Sequence, residues 1–113
     1  KLQMVQAAVA DLPNVEAELG PGLQADFAVA HGAQAIVRGV RCAADFDVEY
    51  QLAQINRGIH PGLDTVLLPA SPAYQHFSSS MAREMIRYHQ PLERYLPAAI
   101  IPLVRRIMEE KGE

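Results

Sequence analysis

Arg38-Gly39-Val40-Arg41, followed by Asp45, Phe46 and Glu49, sets two guanidiniums and two carboxylates around one glycine. An apolar run, Ala35-Ile36-Val37, precedes them and a helical pattern follows. The run predicts a buried strand, and ligands in open α/β sheets bind just past the carboxyl ends of strands. Arginine offers a planar fork of donors that suits phosphate oxygens. Glycine lets the backbone come close to a ligand. The stretch therefore reads as a phosphate-binding turn. A solvated strand end with ordinary surface ion pairs is the plainer alternative.

A second group is Ser78-Ser79-Ser80-Met81-Ala82-Arg83, placed where a helix should open. Helix N-termini carry free N–H groups and a partial positive charge, and serines there can cap the helix or join in holding a phosphate. A capping box begun at Ser80 would want Glu or Gln at 83, where this chain has Arg83. Plain serine capping, with Arg83 turned to solvent, explains the same residues. A third group is Asp45, Glu49 and Asn56, which share one side of the helix that follows Arg41. Phe46, Tyr50 and Ala53 share another side and are expected to face the core. Carboxylates beside a triphosphate would repel it unless they contact ribose, arginine or Mg²⁺-bound water; a solvated helix face accounts for them equally well. His31, His60, His76 and His89 show no metal-ligand spacing. Cys42, beside Arg41, has no Cys/His partner motif and reads as a packed small hydrophobe.

The elements that must position these groups follow from hydrophobic periodicity and breakers. Residues 1–12 predict a helix ending near Pro13, and residues 15–19 a short strand. Gly20-Pro21-Gly22 marks a turn, and residues 23–31 a helix closed by Gly32 in the left-handed conformation. Residues 35–37 predict a strand and residues 43–59 a helix ended by His60-Pro61-Gly62. Residues 65–68 predict a third strand stopped by Pro69, residues 79–88 a helix, residues 91–96 a connecting turn and residues 97–111 a last helix. Pro102 should kink that helix or mark its true start. Strands alternating with helices indicate a parallel α/β sheet. The 113 residues suffice for one domain with one core, and residues 1–113 are read as a single, partial domain. Half the residues are hydrophobic, a fifth are charged and the net charge is −3, which gives no basic excess for nucleic acid or anionic membrane. No apolar run reaches transmembrane length. One cysteine rules out an internal disulfide and fits a reducing cytoplasm.

Taken together, Ile36-Val37-Arg38-Gly39-Val40-Arg41, the run from Ala44 to Glu49, the run from Gln51 to Arg57, and Phe77-Ser78-Ser79-Ser80-Met81-Ala82-Arg83 resemble bacterial phosphopantetheine adenylyltransferases. The likeness extends from about Leu2 to Leu96. It implies a Rossmann-like nucleotidyltransferase fold and transfer of AMP from ATP to 4′-phosphopantetheine, giving dephospho-coenzyme A and pyrophosphate, with Mg²⁺. Carried over, Arg38 would bind the acceptor phosphate. Gly39, Val40, Arg41 and Glu49 would contact ATP. Tyr74, Gln75, His76, Phe77, Ser78, Ser79 and Ser80 would wrap the nucleotide, and Leu23, Asn56 and Glu84 would hold the pantetheine arm. The resemblance also implies a cytoplasmic hexamer that meets coenzyme A or its precursor and neither nucleic acid nor membrane.

The chain departs from the family pattern in two places. Val48 stands where the family often has Tyr, and the Thr/Ser-x-Gly-His motif does not occur in the 113 residues. Nor does the family's second-strand lysine, which holds the acceptor phosphate. The family's sheet order is 3-2-1-4-5, and the strands near Val15, Ile36 and Val66 would be its third, fourth and fifth. The expectation is therefore an enzyme whose upstream segment, with the first two strands and the catalytic histidine, is missing from this sequence. The alternatives are a non-catalytic fragment that keeps nucleotide or coenzyme A binding or oligomer contacts, and a related nucleotidyltransferase with another acceptor.

Overall fold

Residues 35–40 and 64–69 are rich in Val, Ile and Leu, and in the computed structural model both run as strands. The structure describes residues 2–75 and 78–112. The chain divides into two compact units, residues 20–75 and residues 1–19 with 76–113.

The first unit is a strand–helix–strand crossover preceded by a short helix, α2 (Gln24–Ala30). β1 (Ala35–Val40) and β2 (Asp64–Pro69) pair in parallel, in step from Ala35 opposite Asp64 to Val40 opposite Pro69. Parallel strands cannot be joined by a tight turn; α3 (Ala43–Ile59) makes the crossover. Its bounds are those expected from the sequence. Asp45 in its first turn and Arg57 in its last both suit the helix dipole.

Side chains alternate across β1, so Ile36, Arg38 and Val40 share one side. Ile36 and Val40 are buried, and Ile36 joins Ala25, Ala28 and Leu63 in a small core. The other side carries Val37, with Val66 and Leu68 of β2, and all three are exposed. β2 ends at Pro69, as expected, and the Ala70 N–H donates to the Val40 carbonyl at 2.7 Å.

Three expectations need correction. Residues 15–19 form no strand: Val15 and Leu19 are exposed, and the described sheet has two strands. Alternating apolar and acidic residues make a strand only where a neighbour takes their backbone groups; here the Val15 N–H turns back to the Leu12 carbonyl. Of the expected core face of α3, only Ala53 is even half-buried. Phe46 and Tyr50 are 49% and 52% exposed and stack on each other at 6.1 Å, while Glu49 and Asn56 turn inward. The cause is Arg38, which projects from the covered side of β1, so the helix packed there meets it with a carboxylate. Third, α1 (Leu2–Ala8) is shorter than expected, its end running on as turns to Leu12.

The second unit packs α1 on the 3-10 turn Ala98–Ile100 that leads into α5 (Ile101–Glu110), with Leu92, Ile100, Ile101 and Val104 as its core and Met4, Ala7, Ile86 and Met108 against it. Pro102 lies in the first turn of α5 and marks its start, where a missing N–H breaks no helical bond. α4 (Ser79–Arg87) is the remaining helix.

α2 and α4 close with the same hydrogen-bond pattern. After α2, the Gly32 N–H donates to the Val29 carbonyl and Ala33 N–H to Ala28; after α4, His89 N–H donates to Ile86 and Gln90 N–H to Met85. Both motifs need one residue with positive φ. It is Gly32 (φ 73°) in the first, as expected, and His89 (φ 56°) in the second.

Candidate functional site

The carboxyl end of β1 runs into the first turns of α3, and this junction gathers the charged residues singled out above. Arg38 is bound in two-pronged fashion: its Nε donates to Glu49 Oε2 at 2.9 Å and its Nη2 to Glu49 Oε1 at 2.9 Å. The Glu49 side chain is only 12% exposed, whereas that of Arg38 is 44% exposed. The hydrogen bonds from Arg38 hold the Glu49 carboxyl below its ordinary range, and the same bonds raise the Arg38 guanidinium further. Arg41 is held by a second carboxylate. Asp45 Oδ2 accepts from the Arg41 backbone N–H at 3.1 Å and from its Nε at 3.0 Å. Those bonds lower the Asp45 carboxyl and raise the Arg41 guanidinium.

Each arginine thus spends one edge of its fork on α3. A guanidinium has five donors, so the Nη1 side of each remains for an incoming anion. Gly39 lies between them on β1. A Cβ built there would meet no atom within 4 Å, and its backbone is not left-handed. Neither crowding among the described residues nor conformation demands a glycine at this position. Val40 is different: its side chain is buried and its carbonyl is taken by the Ala70 N–H, so neither of these is open to a ligand.

The other expected residues fall as follows. Asn56 is buried on the inward side of α3, and Leu23 is exposed at the N-cap position of α2. Tyr74 closes a 3-10 turn, Pro72–Tyr74, and Gln75 follows it in helical backbone. His76 and Phe77 lie outside the described residues. Ser78, Ser79, Ser80 and Glu84 belong to the second unit. Ser78 is the cap of α4, its Oγ accepting from the Met81 N–H at 3.1 Å with Ser80 Oγ at 3.4 Å. The cap is therefore not Ser80, and Arg83 lies two residues deeper in the helix than that alternative gives. Ser79, Ser80 and Glu84 are exposed on α4.

The residues brought together within residues 20–75 are therefore Arg38, Gly39, Arg41 and Glu49, joined by Asp45, which the sequence reading placed on a polar helix face without a role. Leu52 was missed altogether. It lies three residues after Glu49 and four before Asn56, so it occupies the helix surface between them, and it is 40% exposed. Among the described residues no three His, Cys, Asp or Glu side chains gather into a metal site. None of their helices is long and apolar enough to cross a membrane.

Comparison with known proteins gives the family of the chain. The chain is 38% identical over 112 residues to the phosphopantetheine adenylyltransferase of Chloroflexus aurantiacus, covering 99% of this chain and 70% of that protein. The chain belongs to the phosphopantetheine adenylyltransferase family. The enzyme of that name from Heliobacterium modesticaldum is 36% identical over 113 residues, 66% of its length. That of an Acidovorax species is 44% identical over 85 residues, 52% of its length. No family model matches the chain. The phosphopantetheine adenylyltransferase relationship thus rests on similarity across almost the whole of this chain and on part of each relative.

Proposed function

We propose that the chain serves transfer of AMP from ATP to 4′-phosphopantetheine, giving dephospho-coenzyme A and pyrophosphate. The observation that carries this reading is the pair of guanidiniums flanking Gly39, each held from behind by an α3 carboxylate. Two phosphate-bearing substrates call for two fixed cations.

In the reaction an acceptor phosphate oxygen attacks the α-phosphorus of ATP. A new P–O bond forms, the bond to the bridging oxygen of the β-phosphate breaks, and its electron pair leaves with pyrophosphate. Such transfers depend on positioning and charge stabilisation rather than on a covalent intermediate. Arg38 holds the acceptor phosphate, and Arg41 meets the negative charge of the nucleotide. Gly39 lets the nucleotide approach the β1 backbone. Leu52, between Glu49 and Asn56, gives the pantetheine arm an apolar surface, with Asn56 offering amide hydrogen bonds. The family resemblance assigns the start of α4 to ATP phosphates, and free N–H groups and serine hydroxyls suit that role. Mg²⁺ enters as part of the MgATP substrate, carried on phosphate and water; Asp45 and Glu49 are already committed to arginines. A cytoplasmic setting and a hexamer complete the proposal, and sedimentation tests the hexamer.

A second reading has its own observation: the 113 residues contain no Thr/Ser-x-Gly-His motif. On that reading they bind ATP and acceptor without turnover. Incubation with MgATP and 4′-phosphopantetheine, with dephospho-coenzyme A measured by mass spectrometry, separates the two. Product supports the full reaction. Calorimetric binding without product supports the second reading, and no binding of either compound removes both.

A further inference from the structure

The carboxylates of α3 carry an inference that rests on the adenylyl-transfer reading and alters one role within it. We propose that Glu49 and Asp45 are positioning residues, each dedicated to one arginine and hence to one substrate: Glu49 to Arg38 and the acceptor, Asp45 to Arg41 and ATP. The family resemblance gave Glu49 to ATP and gave Asp45 nothing.

Both Glu49 oxygens face Arg38, at 2.9 Å from Nε and from Nη2. A carboxylate so engaged, with its side chain 12% exposed, has little left to offer a ribose or a metal-bound water. Two parallel charge-assisted bonds fix the plane of the guanidinium. The opposite edge of Arg38 is thereby aimed before any ligand arrives. Asp45 does more than hold a side chain: one of its oxygens takes both the backbone N–H and the Nε of Arg41, so it fixes the turn from strand to helix together with the cation. The two clamps share no residue. They stand one turn apart on α3, which couples their placement to one rigid element. Ordering a long side chain in advance removes that cost from binding.

The test measures ATP and 4′-phosphopantetheine binding separately by calorimetry, in the unaltered chain and in E49Q and D45N. The expected result is crossed. E49Q weakens the acceptor about ten- to hundredfold and leaves ATP within a factor of two or so; D45N does the reverse. A contribution to folding alone would weaken both ligands together, and that outcome overturns the proposal. So does loss of ATP binding in E49Q with the acceptor unchanged, which returns Glu49 to the nucleotide. If neither compound binds the unaltered chain, the adenylyl-transfer reading fails and this inference falls with it. A measurement without substitution guards against variants that do not fold. In the ligand-free chain the Nε protons of Arg38 and Arg41 should exchange with water far more slowly than that of the exposed Arg106. Equal exchange for all three shows that the clamps do not exist in solution and overturns the proposal.

Discussion

Gly39 is the residue whose role is most open to a clean experiment. A glycine inside a strand costs stability because it surrenders backbone freedom and packs nothing. Space for a Cβ exists at this position, so Gly39→Ala should leave the fold intact or raise its stability by about 0.5 kcal/mol. ATP affinity should nevertheless fall roughly tenfold, because the methyl group occupies the surface that the nucleotide approaches. Calorimetry beside a circular-dichroism melt reads both quantities on one sample. Glu49 invites a second experiment. Its carboxyl is held below its ordinary value of 4.5 by the hydrogen bonds from Arg38. The unfolded chain therefore binds this proton more readily than the folded one. The stabilisation is complete above the ordinary value and disappears as pH falls through the lowered one. Asp45 titrates in the same sense through Arg41. Acid melts of the unaltered chain should be steeper in this range than those of Glu49→Gln, and equal slopes would show that the pair contributes nothing. At this scale the sequence was legible in residue type. Two arginines around a glycine suggested anion chemistry by type, and Asp45 lies only four residues after Arg41, whereas the pairing of Arg38 with Glu49, eleven residues on, is fixed only in space.

Among the elements, α3 was read correctly in extent and wrongly in orientation. The His60-Pro61-Gly62 stop is a local signal and sets its end; Cys42, expected as a packed small hydrophobe, is instead exposed at the N-cap and makes no side-chain capping hydrogen bond. Which side faces the sheet depends on what the strand presents, and a buried-side arginine reversed the usual rule of apolar inside. The supposed strand at residues 15–19 failed for a related reason: alternation is a local property, and pairing is not. Pro102 and Gly32, by contrast, act through their own backbone, and both did what their types predict. The matching ends of α2 and α4 turn this into a prediction. His89 sits at a φ of 56°, where a residue with a Cβ is strained by roughly 1–2 kcal/mol, less the entropy that glycine loses on folding. His89→Gly should stabilise the chain by about 0.5–1 kcal/mol and raise Tm by a few degrees. A fall in Tm would mean that the His89 ring makes contacts worth more than the strain.

At the scale of the whole molecule, family membership accounts for the order of the motifs, while the sheet places a separate demand. Parallel sheets are found with both faces covered. Here one face of β1 and β2 is lined by Ile36, Val40 and their neighbours, while the other leaves Val37, Val66 and Leu68 in water. Phe46 and Tyr50 add a second apolar area on the outward side of α3. Contiguous apolar surface on this scale is uncommon on a soluble monomer. For anyone handling the purified chain, this has a practical meaning. Environment-sensitive dyes such as anilinonaphthalene sulfonate will fluoresce on the native state as well as on the unfolded one. A dye-reported melt should start bright and change little, so the variants above are to be ranked by ellipticity rather than by fluorescence.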